Sequence, residues 1–491
     1  MKRLTCILFG VLLLLYFLCY QGALSHVIFY HEQHHLFLFS KLYFQQSIHS
    51  EGWLNYLTDF VIQFFYFPIL GSAILAFILA SVYLLCNRII GKISRGHDLF
   101  QLSIIPSVCL FFYTMSADHS LSLVVGSFVG LLIFYLILLA IQRYWTPPCF
   151  FSLLHISGKR IRISIICICL SSYMACGFYY FLHNYNRSER IMLKTEQYVK
   201  ARDWKNVLEY SERYLKTGRS NQLISYFHNL ALYHTGQLSC RLFAYPPRLG
   251  VKELYLPWNG DSRESEYGHI LYEELGYINE AQRWEFEAMV VWGETAPHLL
   301  NLARYNIVNH RPLVARRFIN KLKQSLFYRK DALRLQTLSD KGEIPGFKNA
   351  LEGVTNIPVR FANVVNIGPE LQYLCEQDIT NKMAYEYLMS NLLLSNHVVR
   401  FAKNLKWMRR FSYSSLPPVY EEALYIYKLG VSEEEFAKIG VPISPETERK
   451  FQRYYQLVQS RQMQTLQIEF GQTYWFYLNY VSPYGNKVVA N

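Results

Sequence analysis

The residues best suited to chemistry lie in one short stretch, His31-Glu32-Gln33-His34-His35, which reads H-E-x-x-H. On a helix, residues four apart share a face. His31 and His35 could then hold a zinc ion, with Glu32 beside them as general base of a metallopeptidase. Three acids of the same region, Glu32, Glu51 and Asp59, offer a second chemistry. A carboxylate there could take the proton of an acceptor hydroxyl. Both readings meet obstacles. A catalytic zinc needs a third protein ligand, and no downstream motif declares one. The stretch is rich in histidine (His26, His31, His34, His35 and His49), so chance matches to the motif are common. Lone acids in a loop are usually just solvated. The preferred reading is interfacial histidines without a metal, and no cofactor is assigned. The rest of the chain shows no nucleophile elbow, P-loop or Rossmann glycine pattern. The sequence therefore names no reaction, and an enzyme is the less favoured class.

The elements around this stretch come from a split in composition. Residues 1–183 are apolar and carry ten Lys/Arg against five Asp/Glu, while residues 184–491 are polar, Tyr-rich and net +8. Five segments approach the roughly 20 apolar residues that cross a bilayer: 4–24, 60–86, 99–116, 120–141 and 162–183, the third weakened by Gln101, Ser103 and Pro106. If the third and fourth form one re-entrant hairpin, the spans are fewer. Lys2 and Arg3, then Arg88, Lys92 and Arg95, then Arg143, Lys159, Arg160 and Arg162 fall on one side of five spans. The other side carries only Lys41. Positive residues stay in the cytoplasm, so the N-terminus is expected there and the tail in the periplasm of a cell membrane protein. Ala23-Leu24-Ser25 could serve as a signal cleavage site. The long apolar run Leu4–Tyr20 favours a retained span, and Leu18 before Cys19 does not suit a lipoprotein. Residues 25–59 are an aromatic outer loop, expected as short helices along the membrane surface with a turn at Ser50-Glu51-Gly52. Gly126-x-x-x-Gly130 could let another helix approach closely.

Two enzyme families bear comparison with this layout. Membrane-embedded metallopeptidases of the site-2 type also carry a distant L-D-G motif, which is absent. Lipid-linked sugar transferases are similar in placing a catalytic carboxylate in the first outer loop, but they usually use more spans than five.

The tail reads as helical hairpins. Residues 268–288 form a helix-turn-helix pattern with Tyr272, Gly276, Ala281 and Ala288. Glycine permits the tight turn, alanine lets paired helices close, and tyrosine fills the groove between neighbours. His310 follows Gly276 by 34 residues, with Ala315 in the alanine slot. Gly236 follows Arg202 by 34, and Tyr198 and Trp204 flank that earlier turn. The gap from Gly236 to Gly276 is 40, the excess falling in a Pro-rich insert, 245–260. These spacings resemble tetratricopeptide (TPR) repeats over 195–330. The resemblance implies an all-α solenoid whose concave face binds a protein or peptide, and first-helix positions such as Asn229, Asn301, Arg304 and Tyr305 would line it. Residues 331–367 read as an irregular crossing, with helices resuming at 380–394, 396–410, 419–429, 432–439 and 445–464. Phe470–Leu478 is an aromatic cluster that either caps the last hydrophobic face or returns to the membrane.

Eight of the ten cysteines lie in 1–183, where they act as small apolar residues. Cys240 and Cys375 are in the tail, and nothing in their spacing argues for a disulfide. The tail's charge is mild and dispersed, which excludes a nucleic-acid footprint. The bilayer and a protein are the expected partners.

The whole layout also resembles an uncharacterised family of Bacteroidota envelope proteins. The cues are Glu32-Gln33 to Leu36-Phe37-Leu38-Phe39, Gln63-Phe64-Phe65-Tyr66, Pro418 to Tyr420-Glu421-Glu422-Ala423-Leu424, and Thr473-Tyr474-Trp475-Phe476-Tyr477. That resemblance implies that Glu-Gln belongs to the loop and its flanking histidines do not. It brings no activity, and the function expected is an envelope scaffold or assembly factor.

Overall fold

The computed structural model describes residues 2–94, 98–144, 159–258, 263–342, 344–345, 366–413 and 415–485. All regular structure among them is helical. The chain divides into two compact units. One comprises Met1–Leu193, Glu294–Leu300 and Ile319–Arg334; the other comprises Lys194–Gly293, Asn301–Phe318 and Leu335–Asn491.

The first unit opens with α1 (Lys2–Gln21), α2 (Ser25–His34), α3 (Lys41–Ser50), α4 (Gly52–Ile62), α5 (Pro68–Ile93), α6 (Ile104–Tyr113), α7 (Ser122–Tyr144) and α8 (Lys159–Asn184). Among the described residues, four helices are long and apolar enough to cross a membrane: Arg3–Gln21, Pro68–Ile93, Ser122–Gln142 and Arg160–Asn184. Two helices have other bounds than the expected apolar segments. The segment 60–86 becomes Pro68–Ile93. Proline has no N–H for a helix interior but suits the first position, so the apolar run before Pro68 belongs to α4 and a 3-10 turn. The segment 99–116 keeps only the ten-residue α6, which rises about 15 Å.

Polar pairs fix which helix ends meet. Thr5 Oγ1 donates to Asn87 Oδ1 (3.3 Å), Asn87 Nδ2 to Ser103 Oγ (3.2 Å) and Lys92 Nζ to Gln142 Oε1 (2.8 Å). At the opposite ends, Gln21 Nε2 donates to Pro68 O, Tyr20 OH pairs with Thr114 Oγ1, Ser122 Oγ donates to Asn55 Oδ1 and Tyr185 OH to Ala23 O. Ahead of α6 the backbone is irregular, and the buried Asp98 carboxylate satisfies it by accepting from Leu102 N (3.0 Å) and Ser103 N (2.8 Å). Leu54 of α4 seats against Gly126, whereas Gly130 faces open space.

The second unit runs through α9 (Arg187–Lys200), α10 (Trp204–Leu215), α11 (Gln222–His234), α12 (Leu238–Arg241), α13 (Gly268–Leu275), α14 (Ile278–Trp292), α15 (Ala296–Val308), α16 (Pro312–Leu322) and α17 (Arg329–Lys341). It continues with α18 (Gly368–Gln377), α19 (Lys382–Leu394), α20 (Val398–Asn404), α21 (Pro418–Leu429), α22 (Glu433–Ala437), α23 (Pro445–Gln459), α24 (Met463–Phe470) and α25 (Tyr474–Phe476). Parts of α9, α15, α16 and α17 belong to the first unit.

One turn recurs six times in this unit. A residue with positive φ ends a helix at Arg202 (54°), Gly236 (69°), Gly276 (83°), His310 (54°), Asn396 (61°) and Arg461 (56°). In each case the next N–H reaches back to the carbonyl five positions earlier: Asp203 to Tyr198, Gln237 to Leu232, Tyr277 to Tyr272, Arg311 to Asn306, His397 to Leu392 and Gln462 to Leu457, at 2.7–3.1 Å. This left-handed C-cap satisfies carbonyls that a helix end would leave bare. The following helix starts two residues after the turn residue each time, at Trp204, Leu238, Ile278, Pro312, Val398 and Met463. The position five after the turn residue is fully buried in Val207, Ala281, Ala315, Phe401 and Leu466.

Candidate functional site

The sharpest cluster of polar side chains is in the first unit, where α2, α3 and α4 pack beside Ile319–Arg334. The helical conformation of α2 ends at His34, and His35 is extended at φ −125°, ψ 135°. The face-sharing that H-E-x-x-H requires is therefore lost at its last residue. The His31 and His35 ring centroids are 5.7 Å apart. His35 Nδ1 sits 2.8 Å from Asp59 Oδ1, and Tyr43 OH donates to Asp59 Oδ2 at 3.1 Å. Glu32 does not face the histidines; its carboxylate accepts from Tyr328 OH and from the Gln33 amide. Glu51 is exposed at the α3–α4 turn, beside Gly52 with φ 85°.

Aromatic packing holds this arrangement. Phe327 stacks on Tyr66 at 5.5 Å and meets Phe64 and Phe67 edge-on. Phe39 N donates to Gln324 O at 2.8 Å. His31 is 2 % exposed, and neither ring nitrogen has a hydrogen-bond partner. Burial, reinforced by His35 and His34, holds it well below the ordinary imidazole range, so it is neutral. Among the described residues no three His, Cys, Asp or Glu side chains gather as a metal site would need. The cluster is thus one carboxylate-oriented imidazole, one neutral buried imidazole and one carboxylate engaged by a tyrosine. Sequence reading named His31, His35, Glu32 and Asp59. It missed Tyr43 and Tyr328, because no spacing rule links residues so far apart in sequence.

In the second unit the turn residues tie neighbouring hairpins together. Arg202 pairs with Glu273 and with Glu274, the latter at 3.0 Å. Arg304 and Tyr305 OH reach the same Glu273. Trp204 stacks on His234 at 4.1 Å, Tyr198 lies 5.2 Å from Tyr210, and Tyr272 is buried against Trp284. Gly236 and Gly276 supply two of the turns. Ala281, Ala288 and Ala315 are at most 1 % exposed. Asn229 and Tyr305, expected to line a concave face, are buried, Asn229 Nδ2 donating to Glu253 O at 3.0 Å. Asn301 Nδ2 donates to Glu285 (2.6 Å) and its Oδ1 accepts from Arg304 (3.0 Å). These side chains tie the fold together. Cys240 is exposed, Cys375 is buried, and both are free thiols. The end cluster is core: Trp475 Nε1 donates to Glu422 O at 2.8 Å, and Tyr474 is fully buried.

No curated protein and no solved structure matches the chain. One family model matches residues 1–183 and 148–481, which together take in most of its length. The chain belongs to this family of unknown function (DUF6057).

Proposed function

We propose that this protein crosses the cell membrane five times and displays a TPR-like helical-hairpin domain in the periplasm. There the domain binds a protein or peptide partner, as an envelope scaffold or assembly factor. The observation that carries the binding role is the turn repeated at six places with one hydrogen-bond pattern. Hairpins of one design, stacked side by side, form extended surfaces suited to protein partners. Five crossings are supported by the helix-end pairs. Ser103 lies with Asn87, at the end where Lys92 meets Gln142, while Thr114 lies with Tyr20, toward the end where Ser122 meets Asn55. The run from Asp98 through α6 thus connects opposite ends of the bundle, although α6 alone is short. Irregular backbone at membrane depth is tolerated where protein satisfies it, and the Asp98 carboxylate does that. An odd number of crossings puts the tail opposite the N-terminus. Lys2, Arg3, Arg88 and Lys92 favour the cytoplasm for the first side.

The test is protease treatment of spheroplasts carrying an epitope after Asn491. Digestion of the tail without lysis supports the topology; protection until lysis overturns it. For the scaffold, proteins co-purifying with the intact chain are compared with those from a chain lacking the tail. Identical lists would sink that role.

A second reading, an enzyme using the first outer loop, is favoured by the Asp59–His35 pair. A carboxylate-oriented imidazole is a competent general base, which fits transfer of a sugar from a lipid-linked donor better than zinc hydrolysis. Full complementation of a deletion phenotype by Asp59→Asn, Glu32→Gln and Glu51→Gln would exclude it.

A further inference from the structure

The second unit contains an open cavity of about 910 Å³ whose walls come from α18, α19 and α20 and the turns beside them. Its volume is near the upper end of small-molecule sites, which run to about 1,000 Å³. Three cations, Arg400, Lys403 and Lys406, line it, with Glu376 the one acid. None of the three is ion-paired among the described residues, whereas Arg202, Arg213, Arg241, Arg304 and Arg453 all are. Glu376 accepts instead from Gln372 Nε2 at 2.9 Å. The cavity is thus a concave, net-positive surface with its positive charge unspent.

The uncharged lining narrows the ligand. Asn391 brings a carboxamide, Gln372 and Asn404 bring two more that are tied to each other (Asn404 Nδ2 to Gln372 Oε1, 3.3 Å), and Tyr255 and Trp407 bring the small exposed parts of largely buried rings. Aliphatic side chains are few. A bound peptide strand needs apolar pockets for alternate side chains; a sugar chain needs paired donors and acceptors for its hydroxyls and aromatic surface for its C–H groups. Carboxamides offer both donor and acceptor on one group. Trp407 is already flanked by cations, with Arg410 at 5.0 Å and Lys406 at 5.8 Å from its centroid.

We infer that this cavity binds an anionic sugar chain, its carboxylates or phosphates against Arg400, Lys403 and Lys406 and its hydroxyls on the Asn391 carboxamide. This goes beyond the scaffold role and does not depend on it.

The experiment is calorimetric titration of the detergent-purified full-length protein with four probes: oligogalacturonate, a phosphate-bearing mannan oligosaccharide, neutral maltohexaose and hexaglutamate. One or both charged sugars are expected to bind, and which one does identifies the anion. The neutral sugar and the acidic peptide should bind much more weakly. The Arg400→Gln/Lys403→Gln/Lys406→Gln variant should lose at least about tenfold in affinity while keeping the parent melting temperature, because all three residues are exposed. An Arg213→Gln/Lys216→Gln variant should bind as the parent does. Absence of binding by both charged sugars at millimolar concentration overturns the proposal. So does hexaglutamate binding as tightly as they do, or unchanged affinity in the triple variant.

Discussion

A β-carbon on Gly268 would lie 2.3 Å from ring carbons of Trp284, which is itself 1 % exposed. Neither the ring nor the helix can withdraw without opening the core, so Gly268→Ala should cost about 1–3 kcal/mol. Thermal melting of the purified protein measures this; an unchanged midpoint would show that the contact relaxes freely. Two buried acids make stability depend on pH. Burial pushes Glu253 and Glu422 up to about 7, although each accepts a backbone N–H, from Leu249 and Tyr474 respectively. In the unfolded chain a glutamate titrates near 4.3. The folded state therefore keeps protons that the unfolded state releases. The stability linked to these groups is full below about pH 4.3 and is lost as pH rises through about 7. Each group accounts for up to roughly 3 kcal/mol of that decline. Melting midpoints should fall between about pH 5 and 8, and a Glu253→Gln/Glu422→Gln variant should fall less. At this scale the sequence was only partly legible. H-E-x-x-H was visible, but His35 meets Asp59 across 24 positions and Glu32 meets Tyr328 across 296. Only the folded chain decides such meetings.

Element boundaries were more readable, because turn chemistry is local. Gly236 and Gly276 lie where the backbone turns left-handed, and so do Arg202 and His310, which spacing rather than residue type singled out. Asn396 and Arg461 use the same turn and were missed. They stand 86 and 65 residues beyond the preceding turn, so no 34-residue register pointed to them. The left-handed conformation is free for glycine and strained for other residues. Gly276→Ala should therefore destabilise the protein by about 1 kcal/mol, whereas Arg461→Gly should stabilise it by up to about 1 kcal/mol. Arg461 is exposed and has no recorded side-chain partner, so little is lost with it. Opposite shifts of the melting midpoint would verify the shared turn; equal shifts would contradict it. Helix ends in the apolar part differ from the expected segments for another reason. Hydropathy shows neither where a proline starts a helix nor that part of an apolar run is an irregular lead-in held by a buried carboxylate.

At the scale of the whole molecule, the membrane-helix unit includes a piece of chain that no composition profile would assign to it. Ile319–Arg334 belongs with Met1–Leu193, although these residues follow more than a hundred others that do not. The reason is visible in the rings. Phe64, Tyr66 and Phe67 form an aromatic edge ahead of α5, and Phe327 packs against all three. Tyr328 adds a hydroxyl for Glu32, whose carboxylate would otherwise sit half-buried with only the neighbouring Gln33 amide. A helical anchor cut from the rest would keep its spans and lose this cover. Phe327→Ala in the full-length protein should cost roughly 1–3 kcal/mol, less than for a fully buried ring. Tyr328→Phe should cost about 1–3 kcal/mol through the unsatisfied carboxylate. A fragment ending at Leu193 should suffer both losses together. Limited proteolysis reads the outcome: residues 36–66 should be cut faster in the fragment and in both variants than in the intact chain. If the fragment's loop resisted as well as the parent's, the segment would be a passive neighbour. Residues 36–66 would then be a module that folds on the apolar helices alone.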